Sequence, residues 1–206
     1  MQSSYRETLP VALNLTGRSV LVLGGAEEAL DKVEKFRRVG ARLSLVSERV
    51  CPELALLAQH GELPWFARPF VETDLNGCRL VVLTEQDALL AQRLWLLRER
   101  YPFWLCAVDQ PDYCDLSMVS TVRRGPLQIG ISTGGGAPLL ARRVRQALEA
   151  GLDPSLGDFA RSFADLRASL RALPKAERRA LLSEALHGFA LEVRVSYPEG
   201  SDFCPR

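Results

Sequence analysis

Apolar residues in this chain fall into short unbroken runs that alternate with stretches of helical spacing. Val20-Leu-Val-Leu23 is continuous, as expected of a parallel strand covered on both faces. The segments 42–47, 79–84 and 103–109 read the same way. Between them the period changes. From Glu27 the apolar positions are Ala29, Val33, Phe36 and Val39, three or four apart, until Gly40 stops the helix. A short helix from Pro52 to His60 ends at Gly61, and Gln86 to Arg100 carries Leu89, Leu90, Leu94 and Leu97. Leu63-Pro-Trp-Phe-Ala-Arg68 reads as a short edge strand, because Pro64 lacks the N–H that a central ladder needs. Strand and helix in alternation predict a doubly wound α/β unit, complete near residue 113.

The rhythm then shifts. Residues 117–124, the turn Gly125-Pro126 and residues 127–132 predict a hairpin, with alternation visible in Leu127, Ile129 and Ile131. Ser132-Thr-Gly-Gly-Gly136 leads to Pro138, which opens a helix through Ala150. Two amphipathic helices follow, one marked by Phe159, Phe163, Leu166 and Leu170 and one opened by Pro174; the tail from Gly188 is weakly patterned. The expected division is 1–113, 114–150 and 151–206.

One stretch within this pattern carries chemistry. Ser19 to Lys32 reads as buried strand, glycine turn and helix start, closing a βαβ unit with the second strand. Such a turn aims backbone N–H groups and the positive end of a helix at one spot, where a pyrophosphate can sit. The Rossmann fingerprint is G-x-G-x-x-G/A; here it is Gly24-Gly25-Ala26-Glu27-Glu28-Ala29, with Ala26 in place of the middle glycine. Glu48 stands 24 residues after Gly24, where a ribose-binding acid is expected. Ligands of such sheets lie beyond the carboxyl ends of the strands, so the glycine turn, Thr84 and Asp109 should share one rim. An acid at that place suits proton transfer.

Composition adds bounds. Hydrophobic content is 47%, charged content 25% and net charge +1, which gives no global reason to expect nucleic acid or membrane binding. No apolar run reaches membrane-spanning length, and the first residues lack the apolar core of a signal peptide. Five scattered cysteines, with no C-x-x-C pair and no metal-ligand cluster, predict reduced thiols in a cytoplasmic protein without a metal site of its own.

In order, Leu9-Pro-Val, Val20-Leu-Val-Leu-Gly-Gly, Gly40-Ala-Arg-Leu, Val81-Val-Leu-Thr84, Ala107-Val-Asp109 with Cys114-Asp115, and above all Arg123-Arg-Gly-Pro-Leu-Gln-Ile-Gly-Ile-Ser-Thr-Gly-Gly-Gly-Ala-Pro-Leu-Leu-Ala141 resemble precorrin-2 dehydrogenase, the dehydrogenase/ferrochelatase module of siroheme synthases. The resemblance covers roughly residues 9–190. It implies an NAD-binding Rossmann domain, a strand-exchanging dimerisation region that makes a homodimer, and a small helical domain. It further implies oxidation of precorrin-2 to sirohydrochlorin, with insertion of ferrous iron by some members. It maps the key aspartate onto Asp109 and cofactor contacts onto Glu27, Glu28, Ser47, Glu48 and Arg49. Ser132, Thr133, Gly134 and Gly135, followed by a helix bearing Arg142, Arg143 and Arg145, would suit a carboxylate-rich tetrapyrrole; an ordinary helix cap with a solvated basic face explains them equally well.

The chain departs from the family pattern at Ala26, Glu85, Ala107 and the stretch Asp115-Leu-Ser-Met-Val-Ser120. Two readings therefore stay open from the sequence: an NAD-dependent dehydrogenase, and a tetrapyrrole-binding or chelatase-type relative that has lost NAD.

Overall fold

The computed structural model describes residues 7–196. Five strands, β1 (Ser19–Leu23), β2 (Arg42–Val46), β3 (Trp65–Phe66), β4 (Leu80–Leu83) and β5 (Trp104–Ala107), form one sheet in the order β3-β2-β1-β4-β5. Every neighbouring pair is parallel. The order reverses beside β1, so the crevice between the ends of β1 and its neighbours is the switch point where such sheets bind ligands. The predicted edge strand is at the edge, cut to two residues by Pro64 before it and Arg68-Pro69 after it.

Helices α1 (Glu27–Arg38), α2 (Pro52–Gln59) and α3 (Ala88–Leu97) cover the sheet. Ala29, Lys32, Val33 and Phe36 form the buried stripe of α1. Ala29 and Val33 are fully buried with Val22 and Leu45, so the small residue at position 29 lets the helix lie close on the sheet. Each fully buried leucine or valine contributes about 1.5–3 kcal/mol, and β1 and β4 place all but one of their side chains in this core. Helix α3 begins two residues later than its spacing predicts, because the Asp87 carboxylate accepts the N–H of Leu90 at 2.9 Å and fixes the start.

The outer edge of β5 is closed by the chain itself. The N–H of Leu105 donates to the Asp115 carboxylate and the N–H of Asp115 to the Leu105 carbonyl, both at 2.8 Å. Cys106 pairs with Cys114 in an antiparallel bridge, and Arg98 forms an ion pair with Asp115. Cys51, Cys78, Cys106 and Cys114 are free thiols, and Cys204 lies outside the described residues. The bond with Cys114, then burial, push the Cys106 thiol well above its ordinary range.

Beyond the sheet come the hairpin β6 (Ser120–Arg124) and β7 (Leu127–Ile131), then α4 (Pro138–Gly151), α5 (Leu156–Ser169) and α6 (Lys175–Glu184). The chain divides into two compact units. One holds the described residues up to Ser120 together with Gly130–Arg145; the other holds Thr121–Ile129 and the described residues from Gln146 on. Inside the second unit, Gly125 and Gly157 touch backbone to backbone: a Cβ on Gly125 would lie 2.9 Å from the Gly157 carbonyl oxygen. Arg124 donates to the carbonyls of Glu149 and Leu152, and Phe159 stacks on Phe163 and Phe189. No helix among the described residues is long and apolar enough to cross a membrane.

Candidate active site

The site grows out of the end of β1. Gly24 has φ +115, a conformation that side chains disfavour, and its N–H donates to the Val46 carbonyl at 3.2 Å. A Cβ there would overlap Thr84 Oγ1, and Thr84 Oγ1 in turn donates to the Leu23 carbonyl at 3.0 Å. Gly25 is bare for a second reason. Its Cβ would overlap the Arg49 carbonyl oxygen, and its own carbonyl accepts the N–H of Cys51 at 2.7 Å. Ser47 Oγ donates to that same Arg49 carbonyl at 2.7 Å. The two glycines thus draw the turn tightly against the ends of β2 and β4.

Ala26 is the N-cap of α1, extended at φ −82, and is exposed. That conformation needs no glycine. An alanine also offers no oxygen to the orphan N–H groups of the first turn, and no side chain caps this helix. Those donors carry no side-chain cap, and Ala26 beside them lines the cleft. Of the two acids beside them, Glu28 pairs with Lys32, whose side chain is only 10% exposed. Burial alone would depress the Lys32 ammonium, but the hydrogen bonds it donates to Glu28 and Asp31 outweigh burial and hold its pKa above the ordinary value. The repulsion expected from two acids is therefore reduced to that of exposed Glu27, and the i, i+4 spacing of Glu28 and Lys32 already signals the pairing.

A cleft of about 660 Å³ opens at this turn. Gly24, Gly25 and Ala26 form one wall and Ser47, Glu48 and Arg49 another. Arg68 and Phe70 form a third, with Glu85, Asp87 and Leu90 opposite. A dinucleotide fits this donor set: uncapped helix N–H groups for the pyrophosphate, the Glu48 carboxylate at the end of β2 for a ribose diol, and apolar Leu90 and Phe70 for a base. Six of the nine cofactor positions expected from the sequence line the cleft. Glu27, Glu28 and Thr84 do not; Thr84 acts on the turn through the Leu23 carbonyl. Arg68, Phe70, Glu85, Asp87 and Leu90 are additions. Of these, Asp87 carries a sequence signal, a capping residue type ahead of an apolar run.

Asp109 follows β5 at the same carboxyl edge. It is exposed and holds φ +57, the single non-glycine residue with positive φ among those described. Its neighbours are tied to β4 and the segment after it: the N–H of Val108 donates to the Leu83 carbonyl at 2.8 Å, and Gln110 Nε2 to the Glu85 carbonyl at 3.1 Å. Glu85 lines the cleft, so the Asp109 turn is braced against the cleft wall.

These features have parallels. Residues 11–120 match a protein family described as "Putative NAD(P)-binding", and residues 124–150 match one described as "Sirohaem biosynthesis protein central". The chain belongs to the NAD(P)-binding family of siroheme biosynthesis proteins. It is 34% identical over 181 residues to the siroheme synthase of Neisseria meningitidis serogroup C, covering 87% of this chain and 38% of that one. With siroheme synthase 1 of Cronobacter sakazakii it shares 40% identity over 154 residues, 75% of this chain and 33% of the other. It thus spans well under half the length of these curated relatives. Among solved structures, SirC, a precorrin-2 dehydrogenase, superposes with a TM-score of 0.73 at 25% identity, covering 86% of this chain and 88% of that chain.

The remaining expected residues lie elsewhere. Ser132 Oγ accepts the N–H of Gly134 and Thr133 Oγ1 that of Ala137, each at 3.2 Å, so both hydroxyls organise the loop ahead of α4. Gly134 and Gly135 have φ +59 and +83. Arg142 is exposed on α4. None of these lines the cleft. Among the described residues no group of three or more His, Cys, Asp or Glu is placed to hold a metal ion. His60 is exposed at the end of α2.

Proposed function

We propose that this protein is an NAD-dependent precorrin-2 dehydrogenase that produces sirohydrochlorin on the way to siroheme. The observation that carries the reading is Asp109. Its left-handed backbone costs roughly 1–2 kcal/mol in an L-residue, and such strain gathers at sites where geometry matters for chemistry. The oxidation removes a hydride and a proton from the substrate. Bound in the cleft, NAD would supply the hydride acceptor; the Asp109 carboxylate takes the proton. The glycine turn, the first-turn N–H groups of α1 and Glu48 orient the cofactor, while Ser132 to Gly135 and Arg142 receive carboxylates of the tetrapyrrole.

The same carboxylate can accept pyrrole protons as ferrous iron enters sirohydrochlorin, iron being then a substrate. Exposed Leu139, Leu140 and Val144 on α4 favour a homodimer with residues 114–150 as its dimerisation region and 151–206 as the helical domain. Free thiols in the described chain agree with a cytoplasmic setting.

The test is a calorimetric titration with NAD, followed by an anaerobic assay in which precorrin-2 disappears as NADH and sirohydrochlorin form. Binding with turnover supports the proposal. A protein that binds tetrapyrrole but not NAD would be the relative that has lost dehydrogenation.

A further inference from the structure

Glu48 is sufficient for the free ribose hydroxyls of NAD, yet the cleft holds two arginines at the same end. β3 borders β2, so the residues after β3 stand beside Glu48 and Arg49, where the adenosine ribose of a Rossmann cofactor lies. Arg68 is one of them. Its guanidinium meets both oxygens of Asp74, at 2.8 and 2.5 Å, and donates to the Pro69 carbonyl at 3.0 Å. It lies over the Phe66 ring, 5.4 Å from the centroid. Asp74 is itself fixed by the N–H of Val71 at 3.0 Å and is only 9% exposed, while Arg68 stays 38% exposed on the cleft wall. The carboxylate is turned inward and the cation outward. Five N–H donors and a fixed planar fork leave Arg68 able to serve a ligand beyond Asp74. Arg49, one residue past Glu48, is exposed.

We infer that the cleft accepts NADP as well as NAD, with Arg49 and Arg68 receiving the 2′-phosphate. This rests on the cofactor reading above. An arginine close to the ribose acid is what accommodates a 2′-phosphate in this fold, and a guanidinium held by a carboxylate loses little entropy on meeting a second anion. Glu48, exposed, opposes the phosphate, so the gain from a 2′-phosphate is smaller than two arginines alone would give, and NAD is still accepted.

The test uses the full chain and calorimetry with NAD, NADP, 5′-AMP and 2′,5′-ADP at low and moderate salt. The last two differ only in the 2′-phosphate. The expected result is tighter binding of 2′,5′-ADP than of 5′-AMP, with the difference shrinking as salt rises. Arg49→Ala and Arg68→Ala should each weaken 2′,5′-ADP about tenfold more than they weaken 5′-AMP; Glu48→Gln should tighten 2′,5′-ADP. Arg68 also braces its loop, so Arg49→Ala, whose loop contacts are through the backbone, is the variant free of folding effects. If NAD binds while 2′,5′-ADP binds no better than 5′-AMP, the inference is wrong and the NAD reading stands. If NADP binds and neither arginine variant weakens it, the assignment of the two residues falls. Failure of all four ligands would remove the cofactor cleft itself.

Discussion

Gly25 and Arg49 are pressed together so closely that the backbone carbonyl of Arg49 occupies the place where a side chain on Gly25 would begin. The glycine turn and the loop after β2 are therefore one structural piece, and a change in either moves both walls of the cleft.

Gly25→Ala should show this directly. The obstacle is backbone, not a flexible side-chain end, so the loop must shift. Overpacking of this kind costs about 1–3 kcal/mol, or roughly 2–4 °C in Tm per kcal/mol for a protein of this size. Thermal unfolding should record that loss, and calorimetry should record a parallel loss of NAD affinity. An alanine variant of unchanged Tm and affinity would contradict the close contact.

Ala26→Gly should act in the opposite direction. Position 26 tolerates a side chain conformationally, but a methyl group there stands between the turn and the pyrophosphate. Removing it should tighten NAD on the order of tenfold, the equivalent of part of two charge-assisted hydrogen bonds. Stability should hold or rise slightly, since glycine is a better N-cap than alanine. Equal affinity in the two proteins would mean that the ligand never approaches Ala26.

For Asp109 the informative substitution is asparagine. Asparagine tolerates the left-handed region, so Asp109→Asn should fold like the parent while losing proton transfer. Turnover of precorrin-2 should drop about a hundred- to ten-thousand-fold with NAD affinity intact. Asp109→Ala should lose the same turnover and some stability as well, because alanine does not suit φ +57. An asparagine variant with near parental turnover would take Asp109 out of the mechanism.

Asp74 gives a signature in acid. Its hydrogen bond with Arg68 lowers its pKa below the ordinary carboxylate value; burial opposes this and the N–H of Val71 assists. A depressed native pKa contributes stability that is present above the unfolded pKa, near 4, and is lost as pH falls through the lower native value. Urea unfolding from pH 6 to pH 2.5 should show this loss in the parent. Asp74→Asn should show a shallower decline over the same window. Identical slopes would mean that the pair contributes nothing to acid stability.

Much of the fold was legible because burial leaves a periodic trace. The unbroken runs at Val20–Leu23 and Leu80–Leu83 could be nothing but central strands in such an alternation. Pro64 announced the edge. The site was legible only where chemistry coincides with backbone demand, as at Gly24. At Gly25, which lines the cleft, the bare backbone also makes room for the Arg49 carbonyl, a contact that no sequence pattern announces. The left-handed turn at Asp109 left no periodic trace: an aspartate tolerates such a φ without requiring it, and the bonds of Val108 to Leu83 and of Gln110 to Glu85 hold the turn. Arg68 and Asp74 had none either: they lie six apart in an irregular segment, where no period makes two residues neighbours.

The closure at the outer edge of β5 bears on how copies of this chain can meet. Leu105 exchanges its rung with Asp115, and Cys106 faces Cys114. At the other border, β3 offers two residues before Pro69 ends the ladder. Neither margin presents a row of vacant N–H and C=O groups, so the sheet is a finished object that templates no further strand and resists edge-to-edge aggregation. Any association that recruits backbone pairing must draw on chain outside the sheet.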